Sequence, residues 1–372
     1  MSVKCNEIMK VLEEIAPISL AENWDNVGLQ VGDKDRAIEK IMVCLELNDK
    51  IIDEAIEKDV DMIVTHHPLI FKPLKKLLSS DPIVRVINKL IKNDINLYCA
   101  HTNLDIAIGG TSDFLASLLN LNDIKPLSIT ENKKYYKLVV FVPENNIEAV
   151  REAVSIAGAG SIGNYSHCTY QSKGLGTFKP LQGADPYIGE IDKVEEVEEY
   201  RLETIVAANE LSRVLEAMLK AHPYEEVAYD VIPLENNIES LGIGRIGYLS
   251  MGKDLKEFAL EIKNILCADS VKIIGNEKQI IKKIGICTGS GSDYIKTAYK
   301  NGCDCYITGD IKYHDAQLAS DLGLCIIDAG HYETENIICT PLKNRLLKDF
   351  KKNNFDIEVV TSKININPFK TV

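Results

Sequence analysis

Short apolar runs recur along this chain, each followed by a stretch in which apolar residues fall three and four apart. Residues 40–67 set the pattern: an apolar strand (IMVCLEL), a helix (NDKIIDEAIEKD) and a second apolar strand (DMIVT) ending at His66. Residues 283–310 repeat it. At a constant offset of 243, Lys40, Ile41, Cys44, Ile52, Ala55, Asp61 and Thr65 meet identical residues at Lys283, Ile284, Cys287, Ile295, Ala298, Asp304 and Thr308. Each half then supplies a further apolar strand running into a histidine, INLYCAH to His101 and GLCIIDAGH to His331. Strands alternating with helices predict two related α/β lobes, residues 1–129 and 238–372, with mainly parallel sheets.

Residues 130–237 differ in character. Strand YYKLVVFVP, helix NNIEAVREAVSIA, strand RLETIVAA, helix ELSRVLEAMLKA and strand EEVAYDVIPL supply five of the six elements in the β-α-β-β-α-β order of a ferredoxin-like α+β domain, inserted between the lobes.

The histidines change the picture from fold to chemistry. In open parallel sheets ligands sit beyond the carboxyl ends of the strands, where His66, His101 and His331 fall. Adjacent His66 and His67 leave a strand on opposite faces, so either the chain curls there or each histidine serves a different ion. A helical turn after each later strand would place His101 beside Asp105 and His331 beside Glu335. Imidazole with carboxylate suits zinc, iron or manganese, and a bridging carboxylate holds two cations together. His66, His67, His101, Asp105, His331 and Glu335 are therefore the candidate ligands, five or six of them serving two divalent ions per chain, zinc foremost.

Other motifs are ranked against this centre. Gly158-x-Gly160-x-x-Gly163 and Gly242-x-Gly244-x-x-Gly247 read as turns rather than dinucleotide fingerprints. Gly289, Ser290 and Gly291, in a loop between strand and helix, form a candidate anion cradle, with a tight turn as the alternative. His314, in GDIKYHDA, is a candidate proton carrier, whereas His167 and His222 are not read as ligands.

With 372 residues, 45% hydrophobic and 26% charged, the chain has the composition of an ordinary globular protein of two or three domains. A net charge of -13 and a pI near 5.1 exclude electrostatic capture of long nucleic acid but leave a small phosphate-bearing molecule held through metal ions. No run approaches the ~18 apolar residues of a membrane span, and the N-terminal stretch lacks a signal-peptide core. The ten cysteines are scattered with no CxxC, the CxC pair Cys303 and Cys305 reads as buried thiols rather than a zinc knuckle, and a reducing cytoplasm follows.

The segments ENWDNVGLQVGD, VTHHPLIF, CAHTNLD, GDIKYHDA and DAGHYETE together resemble the NIF-three-like family, the type 2 homologues of GTP cyclohydrolase 1. The stretches AGAGSIGNYSHCTY, GTFKPLQGADPYIG and AHPYEEVAYDV resemble the insertion of its longer bacterial members. The resemblance implies a dinuclear metal centre whose five ligands are His66, His67, Asp105, His331 and Glu335, with Glu335 bridging, His66 and Asp105 on one ion, and His67 and His331 on the other. It further implies His101 beside the centre as a ligand, orienting residue or proton carrier, an insert of the CutA and PII type, and a toroidal homohexamer. The implied activity is a hydrolysis in which metal-activated water acts on a nucleotide, opening the imidazole ring of GTP. A two-metal phosphoesterase, a non-catalytic protein that senses metal or a small ligand, and a scaffold are the alternatives.

Overall fold

The computed structural model describes residues 3–132, 134–236 and 240–371. The chain forms two compact units, one of residues 1–131 with 241–372 and the other of residues 132–240. The two lobes read separately from the sequence thus share one unit. The expected end of the insert at 237 lies outside the described residues.

The larger unit holds two main sheets. In spatial order the first runs Glu358–Thr361, Lys40–Cys44, Met62–Thr65, Asn96–Cys99 and Gly28–Val31. Its first four strands are parallel and the last is antiparallel. The second runs Lys272–Ile274, Cys325–Asp328, Cys305–Gly309, Ile280–Ser290, Ser240–Asp254 and Asn122–Asn132. Here the three strands Ile280–Ser290, Cys305–Gly309 and Cys325–Asp328 pair in parallel, while Lys272–Ile274 and Ser240–Asp254 join antiparallel. The expectation of mainly parallel sheets therefore holds for the first sheet, and the second is mixed.

The central strands are buried on both faces, which explains their unbroken apolar runs. Met62, Ile63 and Val64 are fully buried, as are Cys305, Tyr306 and Ile307. Helix Asp49–Glu57 begins where Asn48 accepts hydrogen bonds from the Lys50 and Ile51 amides. It covers one face of the first sheet through Ile51, Ile52 and Ala55. Gly242, Gly244 and Gly247 lie within strand Ser240–Asp254 rather than in a turn. A Cβ at Gly242 would overlap the Ser128 carbonyl, so the glycines serve close strand approach.

The repeat seen in the sequence is a repeat in space. Asp61 accepts from the amides of Glu39 and Lys40 at 2.9 Å each, and Asp304 from those of Lys282 and Lys283 at 2.9 and 2.8 Å. Each carboxylate ties the start of one parallel strand to the start of its predecessor.

The smaller unit has one antiparallel sheet in the order Tyr229–Leu234, Tyr135–Pro143, Glu195–Ala207, Thr169–Phe178. Helices Ile147–Ile156 and Leu211–Ala221 pack on it through Val150, Val154, Val214 and Met218. This is the ferredoxin-like order. Among the described residues no helix is long and apolar enough to cross a membrane, and all ten cysteines are free thiols.

Removing a carboxylate that satisfies two backbone amides has a defined cost. Asp304→Ala should lower unfolding free energy by about 1–3 kcal/mol in urea titration, and Asp304→Asn by less. An Asp304→Ala variant as stable as wild type would contradict the role assigned to this contact.

Candidate metal centre

After Thr65 the chain curls. The amides of His66 and His67 both donate to the Leu45 carbonyl, at 3.0 and 2.8 Å, which brings the two rings to 5.2 Å between centroids. Adjacent histidines thereby reach one centre. His101 caps helix Thr102–Ile106, and the turn that follows places Asp105 Oδ1 3.6 Å from His66 Nε2. His331 opens helix His331–Asn336 rather than ending a strand, so Glu335 lies one turn on and its Oε2 is 3.0 Å from His331 Nε2.

Glu335 stands between the rings. Its Oε2 is 2.8 Å from His67 Nε2, and its Oε1 faces His66 Nε2 at 3.8 Å. Ligand atoms of His67, His331 and Glu335 lie within 4.8 Å of one another, as do those of His66, His67 and His101. The structure thus gathers the five candidate ligands and His101, and His67 belongs to both groups.

Each ring is held by its other nitrogen. His66 Nδ1 donates to the Ala100 carbonyl at 2.9 Å, His101 Nδ1 to Asp25 at 2.9 Å, His331 Nδ1 to Asp310 at 2.7 Å, and His67 Nδ1 to Glu46 at 3.4 Å. A carbonyl can only accept, so His66 Nδ1 carries the proton and the Nε2 of the neutral ring carries the lone pair. That Nε2 is buried and has no hydrogen-bond partner. An orphaned acceptor beside two carboxylates is what a cation site requires, and the donor set fits zinc, iron or manganese.

The charges reinforce this reading. Burial opposes the His67 imidazolium, but the hydrogen bonds and charges of Glu335 and Glu46 prevail and raise its pKa to about 10. The hydrogen bond to Glu335 raises His331 to about 9. Burial alone would lift the Glu335 carboxyl, yet its contacts with His331 and His67 and the nearby His66 ring hold it well below the carboxylate range. Protons on these rings occupy the direction a cation would take.

Three orienting residues escaped the sequence reading: Asp25, Glu46 and Asp310. Burial disfavours the Asp25 carboxylate, but His101 and Thr102 hold its pKa at about 2. Asp310 had a signal, since the offset of 243 aligns it with His67. Asp25 lies in the ENWDNVGLQVGD motif, but its partner His101 is 76 positions away and no spacing links the two.

Two other expectations change. His314 is exposed on helix Tyr313–Leu322, bonded to Gln317 at 3.0 Å and stacked edgewise on Tyr313. The helix start turns it outward, and Asp310 takes the place beside His331. Gly289, Ser290 and Gly291 do not offer a row of free amides, because Gly289 N–H donates to Thr334 and Gly291 N–H to Thr308. Gly289 instead gives room, since a Cβ there would overlap the Glu335 carboxylate.

Two surfaces flank the centre. Trp24 and Phe71, 57% and 46% exposed, meet edgewise at 5.8 Å, and Trp24 lies 6.0 Å from His101. A cavity of about 650 Å³ also meets the centre, lined by His67, His331, Glu46, Asp310, Asp328 and Lys272 among others.

Fold and site together define a class: an α/β protein whose strand ends gather histidines and carboxylates into a cluster with the donor set of a metal site. The chain matches the Duf34/NIF3 (NGG1p interacting factor 3) family over residues 3–368, and it belongs to that family. A Bacillus subtilis relative named GTP cyclohydrolase 1 type 2 homolog is 42% identical, over 99% of this chain and 98% of its own. A Staphylococcus aureus relative of the same name is 37% identical over the whole of both chains. Among solved structures, a Bacillus cereus protein related to NIF3 superposes with a TM-score of 0.93 at 40% identity, covering 100% of each chain.

Metal binding must displace the protons on His67 and His331. Zinc titration of chelator-stripped protein at pH 7 should release about two protons per chain, read from calorimetry in buffers of different ionisation enthalpy. Affinity should fall as pH falls. Heats independent of the buffer would contradict the arrangement.

Proposed function

We propose that this chain is a dinuclear metal-dependent hydrolase acting on a nucleotide, in the manner implied by the name its relatives carry. The observation that carries the reading is the orphaned Nε2 of His66 within a ring of nitrogens and carboxylates already fixed in direction. Glu335 would hold both cations together, its Oε1 facing His66 and its Oε2 facing His67 and His331, with Asp105 beside His66. Two divalent cations, zinc foremost, would supply Lewis acidity and a more acidic water molecule.

The rest falls to the chain's own groups. His101, oriented by Asp25 as imidazoles in acid–base sites are oriented by carboxylates, carries the proton. The exposed Trp24 beside it gives a planar base a face to stack on. Carboxylates outnumber cations in the adjoining cavity, so a phosphate there depends on the charge of the ions rather than on side chains. We further propose an insert of the CutA and PII type, supported by its strand order, a homohexameric assembly, and a cytoplasmic setting in keeping with ten free thiols.

Metal-loaded protein incubated with GTP should yield a formylated or ring-opened product by mass spectrometry. Glu335→Ala should lose half or more of the bound metal, whereas His222→Ala should keep it all. His101→Gln should retain its metal and lose about 10²-fold or more in turnover. No product from any nucleoside triphosphate, or equal metal loss in Glu335→Ala and His222→Ala, would overturn the proposal.

A further inference from the structure

Two motifs of the insert play no part in the metal centre, the run GTFKPLQGADPYIG and the turn His222-Pro-Tyr-Glu-Glu. Within the smaller unit they meet around a cavity of about 440 Å³. That size is within the range of small-molecule sites, roughly 300–1,000 Å³.

The turn is rigid. Buried His222 donates from Nε2 to the Phe141 carbonyl at 3.0 Å and accepts at Nδ1 from the Tyr224 amide at 3.1 Å. Both nitrogens are thereby used, one as donor and one as acceptor, which specifies the neutral ring and gives His222 a structural task. It sets Tyr224 against two other aromatic rings, Phe178 at 5.9 Å and Tyr187 at 6.2 Å between centroids.

At the base of this aromatic wall lies Glu199, only 9% exposed, on the strand Glu195–Ala207. The Tyr224 hydroxyl donates to its Oε1 at 3.0 Å. Gly176 leaves the space its Oε2 fills, since a Cβ there would overlap that oxygen. Among the described residues Oε2 has no hydrogen-bond partner and Glu199 no basic partner. A carboxylate so buried normally has a cation beside it. The one basic residue of the lining, Lys179, is engaged with Asp192 at 3.6 Å, while Glu225 and Glu226 add negative charge at the rim. The cavity therefore repels anions, and its aromatic faces attract cations.

We propose that this cavity binds a small organic cation, its ammonium or amidinium head on Glu199 and its flat or apolar body against Phe178, Tyr187 and Tyr224. The site stands apart from the metal chemistry and does not depend on that reading. It gives the insert a ligand-binding task of its own.

The test is a titration of the full-length protein with phenethylamine, tyramine and benzamidine, followed by NMR and calorimetry, beside 3-phenylpropionate as a probe of the same body and opposite charge. At least one cation should saturate with Kd below about 1 mM, and phenylpropionate should bind about tenfold more weakly or not at all. Glu199→Gln should weaken the cation about tenfold. Tyr187→Ala, at a side chain 57% exposed and hence dispensable for folding, should also weaken it, by about threefold or more. Metal content should be unchanged in both variants. The proposal is overturned if no cation saturates by about 10 mM, if phenylpropionate binds equally well, or if Tyr187→Ala binds as wild type does.

Discussion

An imidazole ring has two nitrogens, and the centre of the larger unit depends on committing one of them. His66, His67, His101 and His331 each give Nδ1 to a fixed oxygen, drawn from Ala100, Glu46, Asp25 and Asp310. These hydrogen bonds choose the tautomer and the ring direction before any ligand arrives. Burying His66 Nε2 with no partner would otherwise be a net loss. Glu335, itself buried, is tolerable only because three imidazoles face it. The polar cluster and the apolar sheets around it are thus one construction.

The duplicated α/β plan explains where those oxygens come from. In both halves an aspartate, Asp61 or Asp304, fixes the start of a parallel strand, and the strand's far end delivers its side chains to the same level. The copies then diverge. His66 and His67 in the first half correspond to Gly309 and Asp310 in the second, so one half supplies imidazoles where the other supplies space and an orienting carboxylate. A Cβ at Gly309 would overlap the backbone of His331, which makes that divergence a packing requirement as well as a chemical one. Buried Arg245 joins the regions flanking the two sheets, paired with Asp113 and donating to the Gly242, Gly244 and Ala107 carbonyls.

What the sequence made legible was whatever is periodic or local. Apolar runs bounded by turn residues marked the strands, and spacings of four marked His331 with Glu335. Contacts between distant segments left no such mark. Asp25 reaches His101 across 76 positions, and no period links them. Gly242, Gly244 and Gly247 looked like turn residues because glycine permits turns, whereas here it permits a neighbouring strand to approach. The Gly289–Gly291 amides looked free because their partners, the hydroxyls of Thr334 and Thr308, come from elsewhere in the chain. His314 and Asp310 share one motif, yet the structure sets Asp310 against His331 and leaves His314 exposed on the following helix.

The central claim is that the cluster holds two cations side by side through Nε2 nitrogens, with Glu335 between them. Crystals of the metal-loaded protein, measured at and below the absorption edge of the bound metal, test it most directly. The account predicts two anomalous peaks per chain, ~3.5–4 Å apart, one on each side of the Glu335 carboxylate, with the Nδ1 hydrogen bonds of all four rings intact. A single peak, or rings turned to coordinate through Nδ1, would contradict it.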